Sequence, residues 1–408
     1  MAQDTTVPVV ANTEPLTVEK AISLALGNPV YAAAGEAGLR AAEARLEAMG
    51  LLPNPELRLT YDDRWTGETG QEYAIRFSPP NPWVVGAQKA EGELGINLAR
   101  IQLDGLRWST AIETRTSFYE ALHAQKLIGQ ADQRKTVTQE KKKLYEMLLT
   151  NGQTTLPEVL EVRLEYLEAI EQLESARQAR QNAMNRLLAQ TGLPTNPKPA
   201  LTGEFEKPMD KIAGLQLEGL FWKYAVHHPM VSGLKLQADM AGARTEQATA
   251  RNRIWFNFLQ TGFSENSNWW EDKDWRFRAG IHIPIFDLRG KATEVAKAEH
   301  GALTAQVEVL RQQVRVDLAE ALGNLQDAAR ALLESTQISD AIAAEVQETL
   351  DADTAAPEPT LPPQTRFRLK EGLQRISAAK LANAYRYQKA ALQMEKFLGE
   401  RLETVLNQ

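Results

Sequence analysis

Two long stretches without proline constrain the fold of this chain more than any other feature of its sequence. The first runs from about residue 83 to 149 and the second from about 288 to 353, and both are rich in residues that favour helices. At 1.5 Å per residue, each stretch would form a helix of about 100 Å. Ordinary globular domains do not contain such helices, so we expect a coiled coil or a tube of packed helices.

Apolar residues in these regions follow the three-and-four spacing of coiled coils. In the second long stretch the series is Val307, Leu310, Val314, Leu318, Ala321, Leu325, Ala328 and Leu332. A shorter segment shows the same spacing at Val159, Val162, Tyr166, Ala169, Leu173 and Ala176. The sequence therefore predicts antiparallel helical hairpins, and the many alanines favour a close approach of neighbouring backbones.

The order of predicted elements repeats after about 200 residues, which indicates two copies of one structural unit. We predict that the first unit, residues 1–200, contains a helix, a strand pair over 56–78, a long helix over 83–149, a tip over 150–157 and a return helix over 158–190. The second unit, residues 201–408, is predicted to contain a helix over 215–250, a strand pair over 254–285, a long helix over 288–353, a tip over 354–364 and a return helix over 365–403. Together they would form one intertwined molecule.

The four strand segments alternate apolar residues with cationic or small ones, as strands of membrane barrels do. The side chains predicted to face lipid are Leu57, Leu59, Tyr61, Tyr73, Ile75, Phe77, Trp275, Phe277 and Ile281. The side chains predicted to line the barrel lumen, and to favour anions there, are Arg58, Arg76, Arg276 and Arg278. A soluble sheet with one buried face would alternate in the same way.

Two observations favour lipid over a soluble core. Six of the eight tryptophans lie in or beside the strand segments, as an interfacial aromatic girdle requires: Trp65, Trp83, Trp255, Trp269, Trp270 and Trp275. Four strands are also too few to close a barrel, because about eight is the practical minimum. We therefore expect several subunits to contribute strands to one barrel.

Composition and motifs exclude several other classes of protein. The chain has no cysteine, which removes disulfides and thiolate metal sites, and its net charge of −7 gives no support for nucleic-acid binding. The sequence contains no run of 18 apolar residues, so it predicts no transmembrane helix. The five histidines are scattered, and no catalytic or phosphate-binding motif is present, so we predict neither an enzyme nor a cofactor. The adjacent His227 and His228 could bind a metal, but surface polar residues are the commoner explanation.

The order of helix, strand pair, long helix, tip and return helix, twice over, resembles the TolC-like outer-membrane efflux family. The resemblance covers nearly the whole chain and is carried by four segments: Gly50 to Leu57, Asn151 to Glu161, Leu187 to Pro194, and Ile283 to Asp287. It implies a homotrimer in which three copies of four strands form a twelve-stranded β-barrel, continued by a mainly α-helical barrel. The segment from Gly50 to Leu57 resembles the branch that serves heavy-metal or cation efflux.

The family implies a location and partners as well as a fold. We expect a passive exit duct in the outer membrane of a Gram-negative bacterium, extending into the periplasm, with its signal peptide removed. The expected partners are a periplasmic adaptor protein, an inner-membrane pump of RND or ABC type, and outer-membrane lipid. The alternatives are a soluble or periplasmic coiled-coil scaffold that never enters lipid, and a metal-binding sensor, for which the sequence offers poor ligands.

The two tips supply the remaining candidate residues. Those expected to contact the adaptor at the first tip are Gly152, Leu156, Val159 and Leu160, with packing inside the hairpin as the alternative. Asp351 and Asp353 near the second tip are candidates for a periplasmic gate, because three copies would form a carboxylate ring. The alternative is that both are ordinary solvated residues at a helix end.

Overall fold

A computed structural model of the chain describes residues 15–63, 69–196, 198–266, 273–283, 290–355 and 361–407. Four long helices dominate this part of the chain: α3 (Pro82–Thr150), α4 (Leu156–Thr191), α7 (Lys291–Ala355) and α8 (Pro363–Leu398). The strands are β1 (Glu56–Asp63), β2 (Thr69–Phe77), β3 (Trp255–Asn266) and β4 (Lys273–His282). The shorter helices are α1 (Val18–Leu26), α2 (Pro29–Ala48), α5 (Leu217–Lys223), α6 (Pro229–Arg251) and α9 (Leu402–Asn407), with single 3₁₀ turns over Asp210–Gly214 and Ala225–His227.

The chain divides into two compact units, and α3 and α7 contribute residues to both. Unit 1 comprises Met1–Ala32, Leu106–His228 and Val314–Gln408. Unit 2 comprises Ala33–Gly105 and Pro229–Gln313, and it contains all four strands. Each unit therefore draws segments from both halves of the sequence.

The helix that returns from the first tip has clear start and stop signals. The backbone N–H of Thr155 donates to the Glu158 carboxylate at 3.0 Å, and Pro157 occupies the first turn, where its missing N–H costs no helical hydrogen bond. The helix ends at Gly192, whose φ of 70° is a left-handed conformation that suits glycine. The observed bounds extend the predicted 158–190 by two residues at the start and one at the end.

Most of the predicted coiled-coil positions are buried, whereas Leu310 and Tyr166 are half-buried. In α7, Val314, Leu318, Leu325 and Ala328 are buried, and in α4 so are Val162, Ala169 and Leu173. Polar pairs flank the packed residues within unit 1: Arg163 of α4 pairs with Glu146 of α3 at 2.8 Å, and Lys380 of α8 pairs with Asp340 of α7. The helices thus pack as the sequence predicts, with alanine at many contact positions.

The core of unit 1 also contains elements that the sequence pattern did not predict. Helix α1 begins after Thr17, whose hydroxyl accepts from the Lys20 backbone N–H at 3.3 Å, and it buries Ala21 and Ala25. Just before it, Leu16 forms a parallel bridge with Leu201. Both leucines belong to a buried cluster that draws on α3, α4 and α8, including Phe118, Met184, Leu187 and Leu392.

An ion pair lies inside the same unit. Arg115 of α3 contacts Glu395 of α8, and its second nitrogen pairs with Glu206 at 2.8 Å. Glu395 also accepts the Leu402 backbone N–H at 2.9 Å, which ties α9 to the cluster. Burial raises the pKa of Glu395 against the opposing effect of Arg115. Burial alone would lower the pKa of Arg115, but Glu395 and Glu206 outweigh it and the pKa is raised, so the guanidinium stays charged.

Two predicted helices are each divided in the structure. The helix predicted over 215–250 is divided into α5, a 3₁₀ turn and α6, because Pro229 forces His228 out of the helical region, to φ −54° and ψ 138°. The return helix predicted over 365–403 ends instead at Leu398, where Gly399 adopts φ 70° and stops it, and α9 begins at Leu402. Residues 356–360, five of the eleven residues of the second predicted tip, lie outside the described residues.

Unit 2 carries one antiparallel sheet with strand order β1-β2-β3-β4. The strands form two hairpins, and β2 joins them by pairing with β3, so that Tyr73 lies opposite Phe263. A bulge interrupts the β3–β4 register between Phe256 and Phe258. Among the described residues, both outer strands, β1 and β4, have one edge with no strand partner.

No helix in the described ranges has both the length and the apolarity needed to cross a lipid bilayer.

Candidate functional site

The apolar face of the sheet is exposed to solvent in the single chain. Cross-strand partners share a face, so Leu57 and Ile75, Leu59 and Tyr73, and Thr261 and Phe277 lie on the same side. Phe277 is 81% exposed. The other large exposed side chains of this face are Leu57, Leu59, Tyr61, Tyr73, Ile75, Phe256, Leu259, Trp275 and Ile281, whereas Phe77 is half-buried. All nine predicted lipid-facing residues therefore lie on one face, which we call the apolar face.

The polar face of the sheet carries all four predicted lumen arginines. The register pairs Arg58 with Ala74, Arg76 with Gln260, Gln260 with Arg278, and Gly262 with Arg276. Two of these arginines form ion pairs: Arg58 with Glu56 at 3.1 Å and Arg278 with Glu72 at 3.0 Å. Small residues lie between the large side chains of this face. They are Ala74 and Ser264, which are buried, and Gly262 and Gly280.

Phe258, Gly280 and Glu72 belong to the polar face but were not predicted as site residues. The Phe258 ring lies over Gly280, and a Cβ added to that glycine would come within 2.4 Å of the ring. The guanidinium of Arg76 lies 3.9 Å from the centre of the same ring. The signal available in the sequence was the pair of glycines inside the strands, because strand glycines often mark a close approach of another group.

Aromatic residues also fix the end of the sheet that adjoins α3. The indole N–H of Trp255 donates to the Pro79 carbonyl at 3.0 Å, and its ring meets that of Trp83 edge-to-face at 5.5 Å. The guanidinium of Arg253 lies 5.3 Å from the centre of the Trp83 ring. Three further tryptophans of the predicted girdle, Trp65, Trp269 and Trp270, lie outside the described residues.

The first tip is a tight turn with an apolar surface beside it. Gly152 adopts φ 70°, and Leu156 and Leu160 of α4 are exposed. Val159 is only 1% exposed, so its side chain packs inside the hairpin, which is the alternative that the sequence left open. The exposed leucines continue along the same side of α4 at Leu164 and Leu167.

The two aspartates near the second tip have different environments. Asp353 is buried, pairs with Arg366 at 2.6 Å and accepts the Leu361 backbone N–H at 2.7 Å. It therefore joins the end of α7 to the start of α8. Asp351 is exposed and accepts from the Gln347 side chain at 2.8 Å. Of the two, Asp351 is the one whose carboxylate is available to an ion in solution.

Polar groups elsewhere in unit 1 hold helices together. Lys141 of α3 contacts Glu165 of α4 at 2.7 Å and Glu371 of α8 at 3.0 Å. Of the adjacent His227 and His228, the second has a protein partner, because its ring lies 3.2 Å from the Lys396 carbonyl. Burial lowers the pKa of His228. No group of three or more potential metal ligands occurs among the described residues.

The fold of the chain is similar to solved membrane-channel structures that cover nearly its whole length. The fold is that of outer-membrane channels. CusC, solved in a study of its transmembrane channel formation, superposes with a TM-score of 0.71 at 16% identity, covering 93% of this chain and 91% of that one. The CmeC outer-membrane channel of Campylobacter jejuni gives a TM-score of 0.74 at 12% identity, with coverages of 94% and 85%.

The outer-membrane protein VceC of Vibrio cholerae is similar to the same extent, with a TM-score of 0.71 at 14% identity and coverages of 94% and 96%. No family model matches the chain, and no curated protein matches it. The likeness therefore rests on three-dimensional structure, and at these identities it shows the fold alone.

Proposed function

We propose that this chain is one subunit of a homotrimeric outer-membrane channel, the passive exit duct of a tripartite efflux or secretion system. The observation that carries the proposal is the sheet of unit 2. It has an exposed apolar face and a charged opposite face, and among the residues that the structure describes its two outer edges have no strand partner. Such a sheet is stable only if something covers the apolar face and pairs the edges.

Lipid is the covering that fits the apolar face. A tilted strand of about 9–11 residues crosses the hydrocarbon core of a bilayer. The strands β2, β3 and β4 have 9, 12 and 10 residues. Phe277 and Ile281 would lie against acyl chains, and Trp275 at the end of the apolar series would lie near the headgroups, where tryptophan is enriched.

Further copies of the same chain are the partners that fit the edges. The four strands alternate in direction, so β1 and β4 run in opposite directions, and β4 of one copy placed beside β1 of the next continues the antiparallel pattern. Bacterial outer-membrane barrels have an even number of antiparallel strands, upward from eight. Three copies would give twelve strands, the number implied by the resemblance to TolC-like proteins.

The helical hairpins supply the contacts that an exit duct needs with its pump. The sequence has no phosphate-binding motif, so the energy for export would come from an inner-membrane pump of RND or ABC type. The exposed Leu156 and Leu160 at the first tip would dock a helical hairpin of a periplasmic adaptor. Asp351 would be the residue of the periplasmic gate that faces passing ions.

The test compares two arginine substitutions that add the same charge to opposite faces of the sheet. Phe277→Arg places the charge on the apolar face, where a cation near the middle of the bilayer costs about 2–4 kcal/mol per subunit. Thr60→Arg places it on the polar face, where it meets water. We expect the Phe277 variant to fail to enter the outer membrane, and the Thr60 variant to assemble like the wild type.

Two measurements decide the outcome: heat-resistant trimers in outer-membrane fractions, and single-channel currents in planar bilayers. The wild type and the Thr60 variant should give trimers and discrete conductance steps. If the wild type is a monodisperse, detergent-free monomer with no conductance, and both variants behave as it does, the protein is a coiled-coil scaffold and the channel proposal is wrong.

A further inference from the structure

The four arginines of the polar face are not equivalent. Arg58 is paired with Glu56, and Arg278 is paired with Glu72, which also lies 3.4 Å from the Gln260 side-chain nitrogen. These pairs are close to electrically neutral as seen by a passing ion. Over the ranges that the structure describes, Arg76 and Arg276 have no carboxylate within ion-pairing distance.

Arg76 differs from Arg276 because its guanidinium is stacked on an aromatic ring. Its guanidinium carbon lies 3.9 Å above the centre of the Phe258 ring, within the range of a cation–π contact. Its Nε is buried and has no hydrogen-bond partner among the described residues. Arginine stacked on a ring loses little further freedom when it binds an anion, because the plane of the guanidinium is already fixed.

The backbone explains why Phe258 reaches the polar face. Phe256 is paired with Ile281 of the apolar face, and two residues later strict alternation would return Phe258 to the apolar face too. The bulge at this point adds one residue, so that Phe258 turns to the polar face and lies over Gly280. The ring can lie there only because Gly280 has no Cβ.

We propose that Arg76, fixed on Phe258, is the residue that makes the duct select anionic organic substrates. The inference rests on the proposed channel function and names the substrate class for it. In the trimer, three such guanidiniums would line the barrel, each with its planar edge available to a carboxylate, sulfonate or phosphate group. This substrate charge differs from the cation branch that residues 50–57 resemble.

The experiment measures the ratio of chloride to potassium permeability from reversal potentials of single channels in a KCl gradient. Arg76→Gln should lower the ratio by about threefold or more, the order expected for one unit charge close to a passing ion in water. Glu72→Gln, which frees Arg278, should raise it. The opposite signs separate an effect of charge from a general disturbance of the sheet.

Phe258→Ala tests the role of the ring, because it leaves every charge in place. It should lower the ratio, and it should weaken the block of the current by benzenesulfonate added to the bath. Phe277→Ala makes the same chemical change on the apolar face and should alter neither quantity. Gly280→Ala provides a second route to the same result, since its new methyl group would displace the ring.

The outcomes separate the two proposals. If the wild type conducts but Arg76→Gln and Phe258→Ala keep the wild-type permeability ratio, the assignment of Arg76 is overturned and the channel function stands. If the wild type inserts into no bilayer and gives no current, the channel function fails and the assignment fails with it.

Discussion

Replacing Glu395 by glutamine is a small chemical change, but it should destabilise the C-terminal helix α9 strongly. Arg115 and Glu395 have side chains only 5% and 2% exposed, so each carries a charge that water does not reach. Removing one partner of a buried ion pair costs about 3–5 kcal/mol, because the other charge is left without compensation. Glu206 stays in contact with Arg115 and offsets part of the loss, which places the expected cost near 3 kcal/mol, the lower end of that range.

Hydrogen exchange of α9 is the suitable assay, because Glu395 accepts the backbone N–H of Leu402 at the start of that helix. A loss of about 3 kcal/mol corresponds to exchange roughly 100-fold faster, since each 1.4 kcal/mol is a factor of ten. The peptides to follow are those covering α9 and the α3 turn that contains Arg115. Mass spectrometry of the purified full-length protein gives both in one experiment.

Glu206→Gln is the matched control. It makes the same chemical change in the same cluster, but the Glu206 side chain is 40% exposed, so its loss should cost no more than about 1 kcal/mol. The reasoning is refuted if the Glu395 variant exchanges like the wild type. It is equally refuted if the Glu206 variant exchanges faster than the Glu395 variant.

Two further predictions concern single residues of unit 1. Burial lowers the pKa of His123, whose ring stacks on Tyr385 at 4.1 Å. The contribution of the neutral His123 to stability is therefore present above the pKa of the unfolded chain, near 6.5, and is lost as the pH falls below that value. The urea midpoint of unfolding should drop between about pH 8 and pH 5.5, and His123→Phe should remove that part of the drop. Gly152→Ala should destabilise the first tip by about 1 kcal/mol because of its φ of 70°, whereas Gly129→Ala inside α3 should stabilise by a similar amount. Thermal unfolding followed by circular dichroism checks this pair, and equal shifts of the same sign would contradict it.

Local patterns were sufficient to predict the long helices and the strands. The absence of proline, the three-and-four spacing and the start signal at Thr155 are all readable within one segment. Observed helix α3, Pro82–Thr150, exceeds the predicted range by one residue at each end. Alternation predicted which strand residues share a face, because the period of a strand is two.

Features that depend on distant residues or on one inserted residue were not predictable in this way. The Arg115–Glu395 pair joins residues 280 positions apart, and nothing near either one indicates the other. The bulge between Phe256 and Phe258 reverses the alternation, so a strict period assigns both rings to one face. Val159 was predicted both as a coiled-coil residue and as a docking residue, and its burial favours the first role.

The pairing of β2 with β3 also determines when the sheet can form during synthesis. Tyr73 and Phe263 are neighbours in the sheet but are separated by almost half of the chain. The first hairpin is therefore synthesised well before the second. During that interval its apolar side chains and the edge of β2 are uncovered. Contacts between such distant residues form slowly, and an uncovered strand edge invites aggregation. A chaperone that binds short amphipathic strands would have its first target in residues 56–77, long before any partner strand exists.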